Sequence, residues 1–344
     1  MDSRRHCLVA ALRLKWTKRS PFFESSVLTM EVLLSGTLIF SHSSFARHEV
    51  PPGHAEHPGR YQAVEEALQA DEFSDLERRD APICEHEDVE RVHGGAYREE
   101  IEGKAPQAGL AQLDADTFMG PSSLEAASRA AGGAVAAVRA VMDGAAKNAF
   151  VACRPPGHHA EPARAMGFCV FNNAAIAAME ARAAGAERVA VVDFDVHHGN
   201  GTQAAFWDDE DAFFASSHEW PQYPGTGAAS ERGAFDNVVN APIAPGGDSH
   251  VFAKAWGDDL LPALADFAPD FIVVSAGFDA HRADPLGGLQ LTEEDYAWIT
   301  GELLSIARDT ASGRLVSVLE GGYDLPALAA SAAAHLRVLR DAPR

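Results

Sequence analysis

Five short apolar runs constrain the fold of this 344-residue chain most strongly. They are "AFVAC" (149–153), "RVAVVDF" (188–194), "AFFAS" (212–216), "FIVVSAGF" (271–278) and "RLVSVLE" (314–320). None shows the apolar–polar alternation of a strand with one wet face, so each is predicted to be a strand buried on both faces. A sixth run, "GTLIFS" (36–41), is predicted to be the first core strand.

Helical patterns separate these runs. They cover residues 58–70, 122–144, 172–185, 292–313 and 325–341. Pro58 suits a first helical turn, and Thr292 occupies a capping position before "EED". Strands that alternate with helices predict an α/β fold, with a central, mostly parallel sheet and helices on both faces.

The domain organisation is simple from residue 30 onward. Residues 1–29 are basic in an otherwise acidic chain, and a second methionine follows at Met30. We therefore expect residues 1–29 to be a disordered extension or an artefact of start-site choice. Residues 30–344 contain no long linker and no internal repeat, which predicts a single domain.

Charge and cysteine usage exclude several classes of partner. The chain has 28 Lys and Arg against 50 Asp and Glu, a net charge of −22, which argues against direct nucleic-acid binding and against an anionic membrane surface. No stretch approaches the roughly 20 apolar residues of a membrane helix. Cys7, Cys84, Cys153 and Cys169 form no C-x-x-C pair, so a reducing cytoplasm is favoured over a disulfide framework. No pattern specifies an oligomeric state.

Ligand-type side chains follow four of the predicted strands. The segments that follow them are "RPPGHHA", "DFDVHHGNGT", "DAHRADPLGG" and "GGYD". Because the carboxyl ends of parallel strands meet at one edge, these segments should lie together. Strand alternation places Asp193 and Asp195 on one face, and His197 can converge with Asp195. With Asp279 they give an Asp/His/Asp set that leaves positions open, as in a catalytic zinc site.

These motifs, in this order, resemble the zinc-dependent histone deacetylase family, which includes the bacterial acetylpolyamine amidohydrolases. The resemblance runs from "TLIFSHSSF" at residue 37 to near the C-terminus and includes "GFCVFNNAAIAA" and "EGGYD". It implies the arginase/deacetylase fold for the deacetylase domain over residues 30–344. "HHGNGT" and "GFDAHRADPLG" are more similar to the class II branch than to class I.

The resemblance also implies site residues. The metal ligands are Asp195, His197 and Asp279, and the catalytic residues are His158, His159 and Tyr323. Asp193 matches the carboxylate that orients His158. Asn200 stands where class I enzymes have the aspartate that partners His159, and a neutral partner supports an imidazolium less well.

Two further sites are implied. The first is a structural potassium (K⁺) site with contributions from Asp193, Asp195, His197, Ser216 and Ser217. The second is a narrow tunnel for an acylated amine stem, with Phe168 and Tyr223 as aromatic walls. The other tunnel residues are Asp116, Gly167, Leu286, Gly321 and Gly322. Asp116 is the candidate for gripping a substrate backbone or amine.

The expected chemistry is metal-assisted hydrolysis of an acylamine, with acyl-lysine favoured as substrate and acetylated polyamines as the alternative. In the family's polyamine-selective class II member a glutamate stands at the position of Leu286, which here offers no charge. Zinc (Zn²⁺) is the expected metal, and the ligand types also suit Fe²⁺. A non-catalytic acyl-binding module and a dinuclear arginase-type hydrolase are the alternatives of other classes, and the latter requires a second carboxylate cluster near Asp195.

Overall fold

An eight-stranded parallel sheet forms the centre of residues 35–343. A computed structural model describes residues 35–343. The predicted extension over residues 1–29 and its boundary with the domain lie outside these described residues and stay predictions. The strand order is β2-β1-β5-β10-β9-β6-β7-β8, and every neighbouring pair is parallel.

The strands of this sheet include all the predicted ones. Their bounds are Ser35–Ser41 (β1), Glu77–Asp80 (β2), Ala146–Val151 (β5), Val189–Asp193 (β6), Ala212–Glu219 (β7), Val238–Ile243 (β8), Phe271–Ala276 (β9) and Leu315–Leu319 (β10). A separate antiparallel pair consists of Ala111–Gln112 (β3) and Phe118–Met119 (β4).

The helices flank the sheet. Their bounds are Gly59–Leu68 (α1), His86–Glu90 (α2), Gly95–Lys104 (α3), Ser123–Met142 (α4), Asn173–Ala183 (α5), Asn200–Phe206 (α6), Ser249–Ala255 (α7), Leu261–Phe267 (α8), Glu293–Thr310 (α9) and Leu325–Asp341 (α10). Helix α10 packs on α1 and α9, and α4 packs on α5. None of the helices within residues 35–343 is both long and apolar enough to cross a lipid bilayer.

Local sequence signals account for where the long helices begin. Thr292 and Asp295 form a capping box at the start of α9, and the side chain of Asn172 accepts a hydrogen bond from the backbone of Ala175 at the start of α5. Asp324 caps α10 in the same way through the backbone of Ala327. Each of these contacts satisfies an amide group that the first helical turn leaves without a partner.

The two outermost strands were not predicted. Strand β2 has the sequence "ERRD" and is mostly exposed, while β8 contains Pro242. Charged residues and proline are typical of sheet edges, where they discourage pairing with another chain. The apolar pattern therefore identifies the six inner strands and misses both edges.

Candidate active site

Five adjacent strands deliver the predicted residues to one edge of the sheet. Strand β5 is followed by His158 and His159, and β6 is followed by Asp195 and His197. Asp279 follows β9, Tyr323 follows β10, and Tyr223 follows β7. Strand β6 ends at Asp193, so Asp195 and His197 lie in the loop that follows it. The strand alternation used in the prediction therefore does not extend to these two residues.

Asp195, His197 and Asp279 form a buried group of metal-ligand side chains. One ligand atom from each lies within 4.8 Å of the others. Nδ1 of His197 lies 3.1 Å from Oδ1 of Asp195 and 3.1 Å from Oδ2 of Asp279. Backbone amides hold the carboxylates from behind: Val196 donates to Asp279 and Gly321 donates to Asp195, both at 2.8 Å.

The electrostatics of this group fit a cation. Burial and repulsion by the Asp195 carboxylate raise the pKa of Asp279 to about 7. Burial opposes charge on His197, but hydrogen bonds to Asp195 and Asp279 outweigh burial and raise its pKa to about 10. Positive charge between the two carboxylates lowers their mutual repulsion, and a divalent metal with oxygen and nitrogen ligands can supply it.

The absence of a side chain at Gly321 leaves room for the carboxylates of Asp195 and Asp279 to lie close together. A Cβ atom at Gly321 would lie 2.1 Å from Oδ2 of Asp279 and 2.6 Å from Oδ2 of Asp195. Only a residue without a side chain fits there. Within residues 35–343, Asp195, His197 and Asp279 are the one group of three or more such side chains with this spacing, so a second cluster of dinuclear arginase type is absent from the described residues.

The paired histidines differ in their partners. Nδ1 of His158 donates to Oδ2 of Asp193 at 2.9 Å, and Nδ1 of His159 donates to Oδ1 of Asn200 at 2.9 Å. Burial opposes charge on His158, but the carboxylates of Asp193 and Asp195 outweigh it and raise its pKa. Burial and the adjacent histidines lower the pKa of His159. One imidazole thus favours the charged form and the other the neutral form, the division that general acid and general base need.

The loop that carries Tyr323 is fixed by Asp284 and Arg60, neither of which was predicted as a site residue. The backbone amide of Tyr323 donates to Oδ2 of Asp284 at 2.6 Å. Nε of the buried Arg60 donates to the carbonyl oxygen of Gly322 at 2.6 Å, and its guanidinium lies 4.8 Å from the centre of the Tyr323 ring. Glu56 balances Arg60 at 3.0 Å. Asp284 lies in the segment "DAHRADPLGG" that follows β9, so the sequence contains a signal for it, whereas the sequence around Arg60 indicates only a helix.

A cavity of about 400 Å³ opens above the metal-ligand group. Its lining includes the predicted residues Asp116, His159, Gly167, Phe168, His197, Tyr223, Leu286 and Tyr323, and adds Gln222 and Pro285. The rings of Phe168 and Tyr323 lie 6.0 Å apart, and those of His159 and Tyr223 lie 5.1 Å apart. The structure therefore brings the predicted metal ligand His197, the predicted catalytic residues His159 and Tyr323, and both predicted aromatic walls to one cavity.

The rim of this cavity is built around Asp116. Its Oδ1 accepts hydrogen bonds from the backbone of Gly167 at 3.1 Å and from the hydroxyl of Thr117 at 3.0 Å. Gly167 has a positive φ of 56°, and a Cβ atom there would lie 2.4 Å from the His159 ring. His54, which was not predicted, donates to the carbonyl oxygen of Asp116 and packs edge-on against Phe168 at 4.7 Å.

The residues of the implied potassium site lie side by side on β6 and β7. Asp193 and Ser216 are register partners. The hydroxyl of Ser216 is hydrogen bonded to Nδ1 of His218 at 3.0 Å, and that of Ser217 accepts from the indole of Trp256 at 3.0 Å. Both serine side chains thus have protein partners, and the potassium site stays a proposal.

A larger cavity, of about 820 Å³, lies at the opposite end of the sheet. Its charged lining residues are Lys147, Arg308, Arg314, Arg337 and Asp341, and none of the described lining residues is a histidine or a cysteine. Volume alone would favour this cavity as the candidate active site. The residue types favour the smaller cavity, which contains His159, His197 and Tyr323.

Comparisons with known proteins agree with the geometry. The family model for the histone deacetylase domain matches residues 54–339. This chain belongs to the histone deacetylase family. A histone deacetylase-like amidohydrolase of Pseudomonas aeruginosa is 38% identical over 313 residues, which cover 89% of this chain and 82% of that protein. A probable deacetylase of Archaeoglobus fulgidus is 37% identical over 295 residues, covering 84% and 82%.

The family fold is also confirmed. The crystal structure of the HDA15 HD domain matches with a TM-score of 0.85 and 36% identity, and the match covers 89% of this chain and 88% of that one. The central parallel sheet with flanking helices is thus the arginase/deacetylase fold predicted from the sequence. Zinc dependence is general for the histone deacetylase family, and the buried Asp195, His197 and Asp279 group suits such a metal.

Proposed function

We propose that this chain hydrolyses acylated amines, with acyl-lysine side chains of proteins as its preferred substrates. The observation that carries the proposal is the position of the Asp195, His197 and Asp279 group beneath an aromatic-walled cavity that also contains His159 and Tyr323. Membership of a family whose relatives are named deacetylases and amidohydrolases supports the reaction class.

The chain's own residues divide the work of amide hydrolysis. A zinc ion held by Asp195, His197 and Asp279 would supply Lewis-acid chemistry, which polarises a carbonyl group and lowers the pKa of a water molecule. His159 donates from Nδ1 to Asn200, so its Nε2 is free to accept a proton from water. The carboxylate of Asp193 favours the charged form of His158, which would protonate the departing amine. The hydroxyl of Tyr323 donates a hydrogen bond to the oxyanion.

The identities of the two ions are proposed from the ligand types, and the compartment from the cysteines. Two carboxylates and one imidazole suit zinc and also accommodate Fe²⁺. We place the structural potassium ion beside Asp193, because the adjacent Ser216 brings a hydroxyl and backbone to the same edge. The described cysteines, Cys84, Cys153 and Cys169, are free and buried, which suits the reducing cytoplasm favoured by the sequence.

The substrate preference is predicted from Leu286. Its backbone is fixed at the rim by hydrogen bonds to Asp284 and Gln222, and its side chain carries no charge for a distal ammonium group. We expect kcat/KM for an acetyl-lysine peptide to exceed that for N-acetylputrescine and N-acetylspermidine. Acetate release by the zinc-loaded protein measures all three. A wild-type protein that is about tenfold better on the polyamines, or about 1.4 kcal/mol in transition-state binding, would contradict the preference.

The reason for this preference is tested separately. Leu286→Glu should raise kcat/KM for the acetylated polyamines, while Leu286→Gln, of matched shape but uncharged, should not. No gain with Leu286→Glu would remove the electrostatic explanation. A wild-type protein that releases acetate from none of the three substrates would overturn the proposed function itself.

A second prediction concerns the rim carboxylate. Asp116→Ala should lower kcat/KM for the acetyl-lysine peptide by about tenfold, because a hydrogen-bond partner for the substrate is lost. Asp116→Asn can still accept from Gly167 and therefore isolates the charge. The control is Asp114→Ala, since Asp114 pairs with Arg164 at the surface. Unchanged kcat/KM in Asp116→Ala on every active substrate would exclude this role.

A further inference from the structure

The partner of His159 is an amide rather than a carboxylate, and an amide has two different ends. The carboxylate of Asp193 can only accept, so Nδ1 of His158 must donate to it. Asn200 can present either its oxygen or its NH₂ group. Its oxygen faces His159 at 2.9 Å. A turned amide would instead donate to Nδ1 and place the ring hydrogen on Nε2, where it would block proton uptake.

The surroundings of Asn200 determine which way its amide points. Nδ2 donates to Oε1 of Glu161 at 2.8 Å and lies 3.3 Å from Sδ of Met166. A carboxylate and a thioether have no hydrogen to donate. They can therefore bind only the NH₂ end of Asn200, which leaves the oxygen for His159.

Glu161 is itself held in place. Its backbone pairs with that of Arg164 through hydrogen bonds of 2.9 and 3.2 Å. Nε2 of His93 accepts from the backbone of Asn172 at 2.8 Å, so Nδ1 carries the hydrogen and donates to the carbonyl oxygen of Glu161 at 3.1 Å. Burial lowers the pKa of His93 to about 4 and keeps this ring neutral. The backbone that carries Glu161 is thus fixed independently of the catalytic cavity.

We propose that Glu161 is a positioning residue that acts through Asn200 to keep the hydrogen of His159 on Nδ1 and leave Nε2 free as the proton acceptor. The inference rests on the proposed function in that His159 is the base. Asp193 orders His158 by direct contact. We assign the same ordering role to Glu161, which reaches His159 only through Asn200.

A double-mutant cycle tests the proposal. Glu161→Gln has the same shape but can donate as well as accept, so the amide of Asn200 is free to turn. We expect kcat to fall by about 10- to 100-fold, the range for residues that orient a ligand or base from behind, with KM nearly constant. In Asn200→Asp, the new carboxylate presents an acceptor oxygen to His159 whichever way it turns. Its other oxygen replaces the Nδ2 atom that lies 2.8 Å from Glu161, so two like charges then repel each other.

The sign of the Glu161 effect should therefore reverse. In the Asn200→Asp background, Glu161→Gln should raise kcat, because the new carboxylate orders His159 by itself and the repulsion is removed. A general structural role predicts that the two losses accumulate. Additive losses, or a wild-type kcat in Glu161→Gln, would overturn the proposal.

A spectroscopic measurement separates this inference from the proposed function. Nitrogen-15 NMR of the zinc-loaded protein without substrate should show the Nδ1–H tautomer of His159 in the wild type and a mixture in Glu161→Gln. The same tautomer in both proteins would contradict the role of Glu161. This result holds whether or not any acylated amine is hydrolysed, so failure of the enzyme assay alone bears on the proposed function.

The chain offers a matched control. Nε2 of Gln203 donates to Glu231 at 2.6 Å, and its oxygen contacts Nε2 of His198 at 3.0 Å. This is the same order of carboxylate, amide and imidazole, but neither His198 nor Glu231 lines the cavity. Glu231→Gln should change kcat by less than about twofold and leave the His159 tautomer unaltered. An equal loss in both variants would show that the effect of Glu161 is not specific to His159.

Discussion

Chelation of the bound divalent metal is expected to abolish amide hydrolysis, and one equivalent of zinc per chain is expected to restore it. We expect kcat to fall by at least about 1,000-fold, because unassisted water has a pKa of about 15.7 whereas zinc lowers it to about 7. The proposed ligands are the buried Asp195, His197 and Asp279, and within the described residues no second group of this spacing accompanies them. Elemental analysis should therefore give one tightly bound divalent ion.

Thermal unfolding gives this prediction a readout besides turnover. Asp195 and Asp279 are buried together and repel each other, which contributes to the raised pKa of Asp279. A cation between them should stabilise the folded chain, so zinc should raise Tm in wild type. His197→Ala should lose both the bound metal and this rise in Tm. Two tightly bound metal ions per chain, or full activity without any, would contradict the assignment, and restoration by Fe²⁺ alone would identify iron as the metal.

The sequence predicts the inner sheet because burial on both faces leaves a continuous apolar pattern. Strand β6, with the sequence "VAVVD", has every residue buried. Edge strands lack this pattern for a physical reason: β2 exposes most of its charged side chains to solvent, and β8 tolerates Pro242 because no other strand within residues 35–343 pairs with its outer side. A single chain's hydrophobic pattern therefore locates the core of an α/β sheet better than its borders.

Site residues are predictable where several ligand-type side chains fall in one short segment. Asp193, Asp195 and His197 are such a case. Arg60 and Glu161 are not, because each acts from another element and gains its meaning only from a contact: Arg60 with the carbonyl oxygen of Gly322, and Glu161 with the amide of Asn200. The residues that orient the reacting groups thus depend on tertiary contacts between distant segments, which spacing along the chain does not reveal.

Tyr323→Phe is expected to lower kcat by about 10²- to 10³-fold, the effect of removing one oxyanion hydrogen bond. Burial raises the pKa of Tyr323 despite the opposing charge of Arg60, so the hydroxyl keeps its proton at neutral pH and can donate. Its ring faces the cavity beside Phe168 and His159. The hydroxyl should therefore act on the transition state rather than on ground-state binding, and KM should change little.

The substitution is structurally mild. A phenyl ring retains the contacts with Arg60, 4.8 Å away, and with Phe168, at 6.0 Å. No side chain or backbone group among residues 35–343 is hydrogen bonded to the Tyr323 hydroxyl, so removing this hydroxyl breaks no hydrogen bond within these residues. Zinc content and Tm of Tyr323→Phe should equal those of the wild type, which separates a loss of chemistry from a loss of folding or metal.

The second tyrosine of the cavity provides the comparison. Tyr223 lies over His159 and His197 with ring centres 5.1 and 6.2 Å away, and its ring is expected to contribute as a wall. Tyr223→Phe keeps that wall, so its kcat should fall by less than about tenfold. A Tyr323→Phe protein that turns over at the wild-type rate would remove this hydroxyl from the mechanism. A larger loss in Tyr223→Phe than in Tyr323→Phe would transfer the oxyanion role to Tyr223.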